Sequence, residues 1–205
     1  MTIVRLKNDD LVLHSPTRPD DSLVSGLKAL GKVKFIVGPC VMHTTYLLNW
    51  KTLFPEAEIL VAPRTGKRIP SLKGIKELSD QNPIAPDELK QKLMHGHTSR
   101  ETLFLHIPSK TLIATDLIYN IGKTSDLLEQ WYYRLYRAFG KPAVCNYHRK
   151  YFRDTHAAWA VFQEIFNWDF DRVIMSHGEI IEKNGKSEFI RVWSEFFKNY
   201  YGIEA

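Results

Sequence analysis

The stretch from Leu93 to Tyr119 constrains this chain more than any other. Two apolar runs, Thr102 to Ile107 and Thr111 to Ile118, flank the turn-forming group Pro108, Ser109 and Lys110, so the stretch reads as a β-hairpin. With the turn centred on Pro108 and Ser109, antiparallel pairing sets Asp116 opposite Glu101, beside the glycine-containing loop that carries His95 and His97. An acid and two histidines then lie close in space. Two readings stand side by side. Asp116 either caps the next turn by accepting backbone N–H bonds, with the histidines solvated in their loop, or these residues are metal ligands.

Around this hairpin the pattern alternates strand and helix. Leu11 to His14 is a short strand stopped by S-P-T-R-P, and a helix begins near Asp20 or Asp21 and ends at Gly31. Val33 to Val37 is a β-branched and aromatic strand that breaks at Gly38 and Pro39. A helix from Thr44 to Phe54 is closed by Pro55, and the strand Glu58 to Val61 follows. This order is that of a partly parallel α/β sheet. Arg64 to Pro86 reads as a surface excursion with one weak strand near Ile75, and Asp87 to Met94 suits either a helix or a strand. Beyond the hairpin, a helix over Ser125 to Phe139 carries Trp131, Tyr132, Leu135 and Phe139 at three- and four-residue steps, a spacing expected of a core-facing side. A helix from Asp154 to Phe166, a strand from Asp171 to Met175 and a last helix from Ser187 to Tyr201 complete the chain.

A chain of 205 residues, 44% of them hydrophobic, suffices for one sizeable core, and a single domain over 1–205 is expected. Cys40 and Cys145 have no C-x-x-C spacing, which suits a reducing cytosol, and buried packing is their simplest role. The charged N-terminus has no long apolar segment, and no window is apolar enough for a membrane helix, so a cytoplasmic protein without membrane attachment is expected. The 28 basic and 23 acidic residues are well mixed, so the basic runs Arg64 to Lys76 and Lys141 to Arg153 are read as solvated surface rather than a nucleic-acid face.

His43, Asp116 and His177 each directly follow an apolar strand, and His97 lies in the loop before one. Strand ends in a shared sheet form a rim, and in open α/β sheets ligands bind at such ends. Imidazole nitrogens and carboxylate oxygens are what zinc or iron accepts, and the number of candidates suffices for one ion. The motifs G-x-S-x-G, G-x-x-x-x-G-K-[ST] and G-x-G-x-x-G are absent, which argues against serine-hydrolase, P-loop and dinucleotide-binding readings.

The strand–loop–helix with His43, then G-H-T-S (Gly96 to Ser99), T-L-I-A-T-D (Thr111 to Asp116) and V-I-M-S-H-G (Val173 to Gly178), together resemble the metallo-β-lactamase-like hydrolase superfamily. L-H-S-P-T near the start and W-D-F-D-R-V-I-M-S-H-G-E look like an uncharacterised branch of it. The resemblance implies an αββα sandwich with a metal site at one edge. It matches His97 to the superfamily's third histidine, Asp116 to its bridging aspartate and His177 to its closing histidine. The hallmark T-H-x-H-x-D-H is replaced here by P-C-V-M-H-T-T, residues 39 to 45, which leaves His43 and a possible thiolate substitute, Cys40.

The expected protein is therefore metallo-hydrolase-like, with at most one zinc or iron ion held by His97, Asp116 and His177 with help from His43. Asp116 and His177 are the expected catalytic residues, and a small molecule carrying an ester, thioester or phosphoester is the expected substrate class. His14 and His106 are read as structural. The alternative is a pseudoenzyme that keeps the fold as a binding module.

Overall fold

In the computed structural model, which describes residues 1–71, 73–122 and 126–204, the chain divides into two compact units, Met1–Ile84 and Ala85–Ala205. The first holds a five-stranded sheet in the order β1 (Thr2–Arg5), β2 (Asp10–His14), β3 (Lys32–Gly38), β4 (Glu58–Val61) and β5 (Ile75–Glu77). β2 to β5 pair in parallel, and the apolar runs of β2, β3 and β4 suit strands covered on both faces, while β5 (I-K-E) is the more exposed edge. β1, a strand the sequence pattern does not announce, adds antiparallel at the edge with Thr2 opposite His14. Two helices serve this sheet. α1 (Asp21–Leu30) is capped by Asp20, whose carboxylate accepts the Leu23 N–H at 2.8 Å. α2 (Leu47–Leu53) begins three residues later than its sequence suggests, because Tyr46 makes no side-chain cap and Thr44 to Tyr46 form a turn. Leu27, Leu47 and Trp50 pack with Leu11, Ile36 and Ile59 as this unit's core.

The second unit holds a four-stranded sheet, β6 (Leu89–Leu93), β7 (Thr102–His106), β8 (Thr111–Ile113) and β9 (Arg172–Ile174), in that order. The ambiguous segment before the hairpin is a strand. Pairing with β7 decides it, with Leu89 and Gln91 buried and Lys90 exposed between them. The hairpin has the expected register: Phe104 faces Ile113, Leu105 faces Leu112 and His106 faces Thr111, so the turn is centred between Pro108 and Ser109. Regular pairing stops at Ile113 rather than Ile118, because the N–H groups of Thr115 and Asp116 turn to a side chain.

The core of this unit lies beneath α4 (Thr155–Phe166) and α5 (Gly185–Tyr201). Phe162 and Trp193 stack at 4.0 Å between ring centroids, and Phe189 and Phe197 close around them. The helix expected over Ser125 to Phe139 is α3 (Leu127–Leu135); Ser125 lies outside the described residues. Its expected core face is covered only in part: Trp131, Tyr132 and Leu135 are exposed, while Tyr133 and Phe139 pack against the cluster of Tyr119, Ile121 and Cys145. No α3 residue is buried, and Trp131 is 64% exposed. No helix among the described residues is long and apolar enough to cross a membrane.

Candidate metal centre

In the second unit, Asp116 is placed from behind by Glu101. Both residues occupy the positions that hairpin register sets opposite each other. The Glu101 carboxylate accepts the backbone N–H groups of Thr115 at 2.5 Å and Asp116 at 3.0 Å. Glu101 is wholly buried, and burial together with the negative charge of Asp116 pushes its carboxyl above the usual range, while the two N–H bonds pull it back. The strand-end loop is thus fixed, and the Asp116 side chain, 14% exposed, is left for other work.

That side chain meets His177. Nε2 of His177 lies 3.1 Å from Oδ1 of Asp116. His177 follows β9 and is carried against the Asp116 loop by backbone bonds: the Asn120 N–H donates to the His177 carbonyl, and the Glu179 N–H donates to Asn120. Gly178 makes this approach possible. It sits at φ +103°, and a Cβ there would stand 2.1 Å from the Asn120 carbonyl oxygen. The ring of Tyr119 stacks on His177 at 5.2 Å and walls one side, and its hydroxyl meets that of Tyr147 at 2.9 Å.

His97 is buried nearby, and Asp116 still acts on it electrostatically. Its ring is already engaged. Nδ1 meets Ser99 Oγ at 2.6 Å, and Nε2 faces His148 Nδ1 at 3.4 Å, the two rings stacked at 5.3 Å. Burial, then repulsion from His148, pulls the His97 pKa down to about 3, and burial takes His148 to about 4, so both rings are neutral. Nε2 of His148 is buried and has no hydrogen-bond partner among the described residues. Gly96 builds the loop: at φ +72°, a Cβ on it would stand 2.0 Å from the Asp154 carbonyl oxygen. His95 is exposed, and His106 bonds Ser109 within the hairpin turn at 2.7 Å.

In the first unit, His43 follows β3 and its Nδ1 meets Ser15 Oγ at 2.5 Å. Cys40 is wholly buried, with its sulfur within 4.8 Å of a His43 ring nitrogen. Ser15 is held at φ +51° at the end of β2, and its N–H donates to Val37. His14 is buried, its pKa lowered to about 3 by burial and then by the charges of His43 and the N-terminus.

The sequence pattern missed Ser15 and His148. Neither stands in a metal-ligand spacing. Ser15 meets a residue 28 positions away, and His148 lies in the short 3-10 turn Asn146–Lys150, which has no periodicity to mark it.

No protein-family model matches the chain, and no curated protein matches it in sequence. Solved structures do match in three dimensions. The chemotaxis sensor ODP, described as a peroxy diiron species, superposes with a TM-score of 0.63 at 12% identity over 96% of this chain and 84% of its own. DIM-1 metallo-β-lactamase exposed to ceftazidime gives 0.55 at 13% identity, over 93% and 82%. The fold is metallo-β-lactamase-like. Rubredoxin:oxygen oxidoreductase from Desulfovibrio gigas gives 0.60 at 11% identity, and there the match covers 92% of this chain but 52% of the larger protein. A metallo-β-lactamase-like fold is thus shared by lactamases and oxidoreductases, and the chemistry must be argued from this chain's own side chains.

The donor set can be tested against a metal directly. An ion with bonds of about 2.1 Å in a tetrahedral shell keeps neighbouring ligand atoms about 3.4 Å apart. The 3.1 Å between Asp116 Oδ1 and His177 Nε2 fits two adjacent positions of such a shell. Within this unit, among the described residues, no three His, Cys, Asp or Glu side chains bring ligand atoms within 4.8 Å of one another. His97, tied to Ser99 and His148, is therefore not drawn in with the pair.

Proposed function

We propose that this protein is a metallo-hydrolase-like protein that binds at most one zinc or iron ion, with Asp116 and His177 as ligands. The observation that carries the reading is the 3.1 Å approach of His177 Nε2 to Asp116 Oδ1 on a loop that buried Glu101 holds in place. Carboxylate and imidazole form a donor pair that suits zinc and iron alike. A bound ion would supply Lewis acidity and a water of lowered pKa, the chemistry that cleaves esters, thioesters and phosphoesters.

The chain's own contributions are orientation and exclusion of water. Glu101 fixes the backbone from which Asp116 projects, as outer partners do for ligands in metal sites. Tyr119 covers one face of His177. The tied ring of His97 favours weak metal binding over a full shell, and the same observation favours the second reading, a catalytically inactive protein that uses the fold for binding.

Elemental analysis of protein purified without added metal, in parallel with Asp116→Ala, tests the proposal. Zinc or iron at no more than one ion per chain, lost in the variant, is the expected result. Metal-free parent protein, or equal metal in both proteins, overturns it in favour of the second reading.

A further inference from the structure

A cleft of about 220 Å³ opens between the segment after α3 and the outer side of α5. None of its lining residues belongs to the Asp116 and His177 pair. Three cations line it: Arg137, Lys141 and Arg191. Arg191 is already engaged, since its guanidinium donates to Glu188, to Glu195 and, at 2.9 Å, to the Pro142 carbonyl. That last bond ties the 136–145 segment to α5 and fixes the cleft's two walls relative to each other.

The other two cations are not spoken for. Neither Arg137 nor Lys141 has an ion-pair partner among the described residues, and the one carboxylate on the wall, Glu195, is already bonded by Arg191. Arg137 also stands in a demanding backbone position. α3 ends with the Ala138 N–H donating to Tyr133 and the Arg137 N–H to Arg134, which places Arg137 at φ +59°, where such helix ends favour glycine. The chain thus holds a long cation where a smaller, unstrained residue would serve the turn alone.

From these observations we propose that the cleft binds a small phosphate monoester, with Arg137 and Lys141 on the phosphate. A guanidinium fork and an ammonium are the donors that recognise a dianionic phosphate. The Asn146 and Asn199 amides supply donors and acceptors for the body of the molecule, and Phe196 and Tyr200 give it an apolar wall. The volume sets the size class. Pockets for drug-sized ligands span about 300–1,000 Å³, so the cleft suits a phosphorylated three- to four-carbon compound or a phospholipid headgroup.

The test uses the whole chain, glycerol 3-phosphate and inorganic phosphate as soluble probes, and vesicles of phosphatidylcholine with phosphatidic acid. Calorimetry reads affinity, and amide NMR shifts report place. The proposal expects saturable binding of glycerol 3-phosphate with shifts at Arg137, Lys141, Asn146 and Asn199. It expects the double variant Arg137→Gly with Lys141→Gln to weaken binding about tenfold or more. Glycine suits the backbone at position 137, so an unchanged unfolding midpoint separates lost binding from lost fold. Vesicle sedimentation that the double variant abolishes identifies a lipid headgroup as the source of the phosphate; soluble binding without sedimentation identifies a soluble ester. Shifts that spread over the chain's lysines without saturating, meaning an adventitious ion only, overturn the proposal. Equal affinity in the parent and the double variant does so as well.

Discussion

Replacing Glu101 by leucine removes the acceptor of two backbone N–H groups, those of Thr115 and Asp116, from a site with no solvent exposure. An orphaned buried donor costs about 1–3 kcal/mol, so the gross loss is about 2–6 kcal/mol. Part is offset, because burial already opposes the Glu101 charge, as its raised pKa records. The expected net loss is about 2–4 kcal/mol, a large fraction of the ~5–15 kcal/mol that holds a domain together. Glu101→Gln keeps one acceptor oxygen and turns its amide N–H toward the other donor, so about 1–2 kcal/mol is expected. Urea unfolding at pH 7 reads both as midpoint shifts at unchanged slope. A Glu101→Leu protein within about 0.5 kcal/mol of the parent would refute the idea that this carboxylate holds the Asp116 loop.

Acid should destabilise the protein through His14, whose folded pKa of about 3 lies below its ordinary value of 6.5: stability is full above pH 6.5 and falls toward pH 3 as the unfolded chain takes up the proton. At pH 4.5 that one group accounts for roughly 2–3 kcal/mol, and His14→Gln should flatten the dependence of the urea midpoint on pH by a comparable amount. Trp131→Ala on exposed α3 should change stability by less than about 0.5 kcal/mol in the same assay, against about 3–5 kcal/mol for Trp193→Ala in the core. Gly96→Ala sets a methyl 2.0 Å from the Asp154 carbonyl in a left-handed backbone, so a loss of about 2 kcal/mol or more is expected in thermal melts, with His97 displaced in NMR spectra.

What is legible in the sequence follows from where the information is local. Pro108 and Ser109 fix a tight turn, and a turn fixes register, so the meeting of Glu101 with Asp116 can be read from the order of residues alone. The core face expected for α3 holds only at Phe139, for the opposite reason. Three- and four-residue spacing tells which side chains share a helix face, not whether anything covers that face, and Trp131 and Leu135 remain in solvent. Helix α3 also stops at Leu135 because the left-handed turn at Arg137 ends it, and arginine is not a residue that signals such a turn. The Ser15 contact with His43 and the stack of His97 on His148 arise from tertiary packing across 28 and 51 positions, which no spacing rule encodes.

A calorimetric titration of zinc into chelator-treated protein, run in parallel on His177→Ala, tests most directly whether Asp116 and His177 hold an ion. One weak binding event is predicted in the parent at a stoichiometry no greater than one, and no such event in the variant. Two ions per chain, or the same isotherm for parent and variant, would contradict it.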